Sequence, residues 1–150
     1  MDIEKARKLF PKYFENIELP TVAKEQVIEV YRACATRKIE RESFLNTYEE
    51  NGNQISVGGK LDDPQEYCLS TYFKLNDVKR FVVIDSKYQP PWTLAKGHTT
   101  KEDGVSCKSK EWKKTRSSHV DWWLYLGAEP WLVFEEVLYD EEFERISSRK

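Results

Sequence analysis

Between Ser118 and Leu126 the chain sets an imidazole, a carboxylate, an indole and a phenol at alternate positions: His119, Asp121, Trp123 and Tyr125. In a strand alternate residues share a face, so these four stand in one row while Val120, Trp122, Leu124 and Leu126 line the other. The second row is a core face. The first could bind and polarise a ligand, because imidazole exchanges protons near neutral pH and the rings offer flat apolar surface. The alternative use of the same residues is a second buried face, since both sides of a central sheet are often covered.

His98 and His119 are the only two histidines, and both fall at expected strand ends. Two imidazoles converging on one phosphodiester could act as general base and general acid, with Lys96 or Arg116 neutralising the developing charge. The triplet His98-Thr99-Thr100 resembles the H-x-T motif of the two-histidine phosphoesterases, which implies a catalytic pair. A second set is Tyr31-Arg32, Leu69-Ser70-Thr71-Tyr72 and Glu135-Glu136. In order and type it is similar to the Arg, Ser-Thr and Glu elements of ADP-ribosyltransferases. That resemblance implies Arg32 on dinucleotide phosphates, Ser70 near a ribose and a glutamate opposite a cationic sugar. A third reading asks for no catalysis. The row from His119 to Tyr125, bordered by Lys96 and His98, would suit an aromatic anion such as a nucleotide, by stacking and charge-assisted hydrogen bonds. The plain alternatives are a helix-end cation for Arg32 and satisfied structural histidines.

Composition limits these readings. At 150 residues with 39% apolar, 33% charged and 13% aromatic side chains, the sequence fits one globular domain over residues 1–150 with a ring-rich core. There is no membrane-length apolar run and Met1-Asp2-Ile3-Glu4-Lys5 lacks the layout of a signal peptide, so the expected location is the cytoplasm. Cys34, Cys68 and Cys107 are odd in number and far apart, as reduced thiols are. Without a C-x-x-C pair no metal site is expected, and no cofactor is called for. The net charge of -2 gives no general case for nucleic acid. The charge is segregated, however: Lys96 to Arg116 holds seven bases against three acids, and Gly127 to Glu144 holds seven acids and no base. Nucleic acid could therefore be met only through the basic stretch 96–116; solvated faces are the simpler account.

The chain must then position these groups. Ile3, Ala6, Leu9, Phe10, Tyr13 and Phe14 predict a helix over residues 2–16, bent at Pro11. Helical spacing predicts a second over Val22 to Ala35 and a third over Ile39 to Glu50, stopped by Asn51-Gly52. Gln54 to Val57 reads as a brief strand and Gly58-Gly59 as a turn. Strands follow at Tyr67 to Phe73, Trp92 to His98 and His119 to Tyr125, with a helix from Asn76 to about Ser86. Thr93, Ala95 and Gly97 form a small-residue face that admits a close neighbour. Residues 99–117 sustain no period and read as a long basic loop, part of which Trp112 should dock. A last helix begins at Glu129-Pro130.

Across residues 27–134 the succession Val30-Tyr31-Arg32-Ala33-Cys34, Glu42-Ser43-Phe44-Leu45, Tyr48-Glu49-Glu50, Leu69-Ser70-Thr71-Tyr72, Ala95-Lys96-Gly97 and Ser118 to Trp123 resembles small uncharacterised proteins of bacteria, their phages and mobile elements. The resemblance implies a cytoplasmic setting of that kind and carries no activity.

The expected fold is therefore α+β: N-terminal helices on a small mixed or antiparallel sheet of three to four strands, closed by a C-terminal helix. The expected function is non-catalytic recognition of a nucleotide-like anion or a partner protein, through Arg32, Ser70, Tyr72, Lys96, His98, His119, Asp121, Trp123 and Tyr125. The alternative is an enzyme working on a phosphodiester or dinucleotide with His98 and His119. Oligomeric state and ligand identity have no signature in the sequence.

Overall fold

A computed structural model describes residues 10–78 and 93–137, and these share a single antiparallel sheet of six strands. The strands are β1 (Glu29–Cys34), β2 (Leu69–Tyr72), β3 (Thr93–His98), β4 (Gly104–Lys108), β5 (His119–Leu124) and β6 (Glu135–Glu136). Their spatial order is β4-β5-β2-β1-β3-β6. One short α-helix, α1 (Thr47–Glu50), and a helical turn at 75–78 are present, with 3-10 turns at Lys12–Asn16, Arg41–Phe44, Pro64–Tyr67, Ser109–Glu111 and Pro130–Val133. No helix among the described residues is long and apolar enough to cross a membrane.

This overturns the expectation of helices packed on three or four strands with a helix at the C-terminus. Val22 to Ala35 contains β1, whose buried positions alternate as Val30, Arg32 and Cys34. An arginine on the core face hides that alternation from a hydrophobicity count. Its burial is possible because Arg32 donates to the carbonyls of Ser43 (2.8 Å), Ser70 (2.8 Å) and Leu45 (3.1 Å) and pairs with Glu50 at 3.0 Å. The guanidinium is thereby satisfied while it ties β1 to the next segment.

The helix expected over Ile39 to Glu50 is two separate turns. Ser43 Oγ accepts from the amide of Glu40, and Asn46 caps α1 by accepting from the amide of Glu49. Ser and Asn take backbone bonds of this kind more readily at helix starts than in helix interiors, so the chain restarts at 46. Gln54 to Val57 is not a strand, whereas Gly58 turns the chain at φ +81. The loop expected over 99–117 contains β4, in which Val105 and Cys107 face the core. Pro130–Val133 is a 3-10 turn followed by β6, where a helix was expected. Residues 1–9, 79–92 and 138–150, onto which parts of the first, fourth and last expected helices fall, lie outside the described residues.

Antiparallel register assigns the two faces of the sheet. On one, Cys68, Cys107, Asp121 and Trp123 lie under Phe10, Phe14 and Tyr67. On the other, Leu69, Val120 and Trp122 lie under Phe44 and Phe134. Trp122 and Trp123 are both 0% exposed, so β5 is a central strand covered on both sides. The alternation across β5 is therefore a division between two cores, the second of the readings the sequence allowed.

The small-residue face of β3 is occupied by Phe134. A Cβ added at Gly97 would lie 2.6 Å from that ring and from the carbonyl of Val133. Because backbone blocks one side, Gly97→Val should destabilise the fold by about 2 kcal/mol, read as a lower urea midpoint. An unchanged midpoint would mean that Phe134 does not pack there.

Candidate functional site

β5 enters the sheet at His119, and the next residue on that face, Asp121, is a fully buried carboxylate. A charge placed there is stable only if its oxygens are occupied. Oδ1 accepts from His119 Nδ1 (2.9 Å), Gln65 Nε2 (2.9 Å) and the Cys68 thiol (3.5 Å). Oδ2 accepts from Ser109 Oγ (2.8 Å) and Trp112 Nε1 (2.7 Å). Burial alone would raise this carboxyl, but the bonds and charge of His119, with Trp112 and Gln65, hold it down at about 2.

The donors come from three places in the chain. Gln65 and Cys68 precede β2, Ser109 and Trp112 follow β4, and His119 opens β5. The carboxylate thus fastens the former basic loop and the 3-10 turn at Pro64–Tyr67 to the central strand. Lys113 Nζ adds a bond to Gln65 Oε1 from outside.

The same arrangement fixes His119. Its Nδ1–H is shared between Asp121 Oδ1 and Ser109 Oγ, the latter at 2.7 Å, and its ring stands edge-on to Tyr72 at 5.1 Å. Nε2 is the nitrogen left for other work, and it has no hydrogen-bond partner among the described residues. Ser109 lies on the Nδ1 side and donates to the carboxylate, so it is not placed as a nucleophile for that imidazole.

At this end of the sheet β2 runs out into Phe73 and Lys74, and β4 into Lys110. The ammonium groups of Lys108, Lys110 and Lys74 lie 4.8, 5.3 and 5.9 Å from the centre of the Phe73 ring. None has a carboxylate within ion-pair distance among the described residues. The ring attracts each cation by about 0.5–1 kcal/mol, against mutual repulsion of about a few tenths of a kcal/mol per pair. The balance leaves a concentrated, unneutralised positive patch.

The remaining sequence candidates are dispersed. Arg32 is used internally, as described above. Trp123 donates to the carbonyl of Pro64 at 2.9 Å, and Tyr125 to Glu25 at 3.0 Å. Ser70 gives its carbonyl to Arg32. Lys96 lies over Tyr31 at 5.7 Å, and His98 Nδ1 donates to the carbonyl of Thr99 at 2.9 Å. Tyr72 stays beside His119, whereas Lys96 and His98 do not. Two strands separate β3 from β5, and the register offsets His98 by two residues, which puts the histidines about 16 Å apart. They do not meet at one phosphate.

Gln65, Ser109, Lys108, Lys110, Lys74 and Phe73 were not singled out by the sequence. Lys108 and Lys110 had a signal in the basic run, and Trp112 in its indole; Lys74 lies outside that run, and Gln65 had no signal because its role exists only through a contact 56 residues away. The three thiols are buried and unpaired, with burial pushing Cys34 to about 11 and Cys107 to about 12. Among the described residues no group of three or more His, Cys, Asp or Glu side chains is placed to hold a metal ion.

Set against protein-family models, curated proteins and solved structures, the chain matches none of them.

Asp121 supplies a pH test. Its folded value lies below its ordinary 3.8, so its contribution is complete above about pH 5 and is lost as pH falls through about 2. The shift corresponds to about 2 kcal/mol. Stability of the wild type should fall below pH 4 more steeply than that of Asp121→Asn, which should itself be about 3 kcal/mol less stable at pH 7. Parallel curves in urea titrations would show that the carboxylate is not ionised in the fold.

Proposed function

We propose that the chain is a non-catalytic binding protein for a phosphate-bearing, nucleotide-like ligand, received where β2 and β4 end and β5 begins. The observation that supports this most is the gathering of Lys74, Lys108 and Lys110 on Phe73, with no carboxylate within ion-pair distance among the described residues. Phosphate oxygens relieve the repulsion between these ammoniums through charge-assisted bonds, and a base can stack on the ring. Free buried thiols suit a reducing cytoplasm.

A second reading has one observation in its favour, the oriented His119. An imidazole locked through Nδ1 by a buried carboxylate presents Nε2 as a general base or acid to a ligand that reaches round to its own face of the sheet, the one opposite Lys108 and Phe73.

Both readings are tested by titrating ATP, ADP and adenosine at low and high salt while 31P NMR follows the phosphates. Binding of ATP over adenosine, weakened with salt and reduced at least about tenfold in Lys108→Ala/Lys110→Ala, is the expected result. Absence of binding, or affinity unchanged in the double variant, contradicts the proposal. Phosphate release that His119→Gln abolishes would replace the binding protein by an enzyme.

A further inference from the structure

The opposite end of β5 opens on a cleft of about 410 Å3, formed where the chain leaves the strand through Leu124 to Trp131 and where β2 begins at Leu69. Six rings contribute to its walls, Tyr13, Phe44, Tyr67, Trp122, Tyr125 and Trp131, among aliphatic and polar residues. A volume of this size matches small-molecule sites, which combine apolar walls with a few polar groups.

The polar groups around it are largely partnered with each other. Asn46 Nδ2 donates to Tyr13 Oη at 3.0 Å, and the amide of Asn46 donates to Glu49 Oε1 at 3.1 Å. Trp122 differs. Its indole Nε1–H is buried and has no acceptor, the only such side-chain atom among the described residues. A buried donor without a partner costs about 1–3 kcal/mol, and such groups are rare enough to ask for an explanation. Phe44 and Phe134 pack against Trp122 and cannot supply an acceptor.

Charge narrows the occupant. The lining carries Arg41 against Glu49 and Glu129, so it does not favour an anion. Flat ring walls favour a planar body, and the indole asks for an acceptor on its edge. We infer that this cleft is a second binding site, for a neutral planar heteroaromatic molecule whose ring nitrogen or carbonyl accepts the Trp122 Nε1–H. Trp122 lines the cleft and is 0% exposed, so the inference requires cleft side chains to shift before an acceptor reaches its indole. The site is separate from the lysine patch at the other end of the strands and does not depend on its role.

The test uses quinoxaline as the neutral heteroaromatic probe, naphthalene as its acceptor-free counterpart and 2-naphthoate as the anion, each titrated into the 15N-labelled full chain. The Trp122 indole resonance is assigned by its loss in Trp122→Phe. The expected result is a downfield move of that resonance with quinoxaline, with affinity about tenfold above that for naphthalene and 2-naphthoate. Quinoxaline binding that leaves the resonance in place overturns the inference, as does equal binding of naphthalene, tighter binding of 2-naphthoate, or no binding at millimolar concentration. Thermal shift of Trp122→Phe should show that the preference for quinoxaline has gone; should that variant fail to fold, the wild-type resonance decides.

Discussion

A carboxylate taken wholly out of water is the constraint on which this structure turns. Asp121 sits in the middle of a central strand, where an unpaired charge would cost several kcal/mol. Five donors from β5, from the turn before β2 and from the segment after β4 remove that cost. Each donor reaches the carboxylate only if its own segment is folded against the sheet. The charge therefore fixes two stretches that lack hydrophobic periodicity, 64–68 and 109–118, against β5. It also sets the imidazole of His119, which no neighbouring apolar group could orient so closely.

Arg32 plays the matching part on the opposite face. Its cation is held by three carbonyls and by Glu50, so β1 is joined to the segment 43–50 and to β2 through one side chain. The sheet is thus clamped by a buried anion on one face and a buried cation on the other, each surrounded by aromatic packing. Tyr13, Tyr48 and Tyr67 meet on the first face at centroid distances of 4.8–5.7 Å, and Phe44 meets Phe134 at 4.9 Å on the second. Among the described residues, most of the cover over the sheet is turns and loops fixed by rings and by these two charges.

What could be read from the sequence follows from the same physics. β2, β3 and β5 were legible because each is a short run rich in aromatic, β-branched or apolar residues set between turn signals, and Trp112 was expected to dock. β1 was read as a helix because Arg32 occupies a core position, where a hydrophobic pattern admits no charge. β4 was missed because its alternation is only five residues long, with two apolar side chains, Val105 and Cys107, inside a polar and basic stretch. The segment 39–50 looked helical until its Ser43 and Asn46 are taken as caps; Asn46-x-x-Glu49 is a capping box that sequence reading could have recognised. The row His119, Asp121, Trp123 and Tyr125 was correctly placed on one face, but Trp123 and Tyr125 belong to the core. The lysine patch and the Trp122 cleft depend on which strands are neighbours, and no local spacing carries that information.

The two ends of β5 thus have different characters. The His119 end is positively charged and rigidly supported, whereas the Leu124 end opens between rings with an indole donor unused. Both rest on the sheet being held by Asp121. Amide hydrogen exchange in the wild type and in Asp121→Asn tests that claim most directly. The account requires that amides of residues 64–68 and 109–118 become less protected together in the variant, while those of β1 and β3 keep their protection. Loss spread evenly over all strands, or unchanged protection in the two segments, would contradict the role given to this carboxylate.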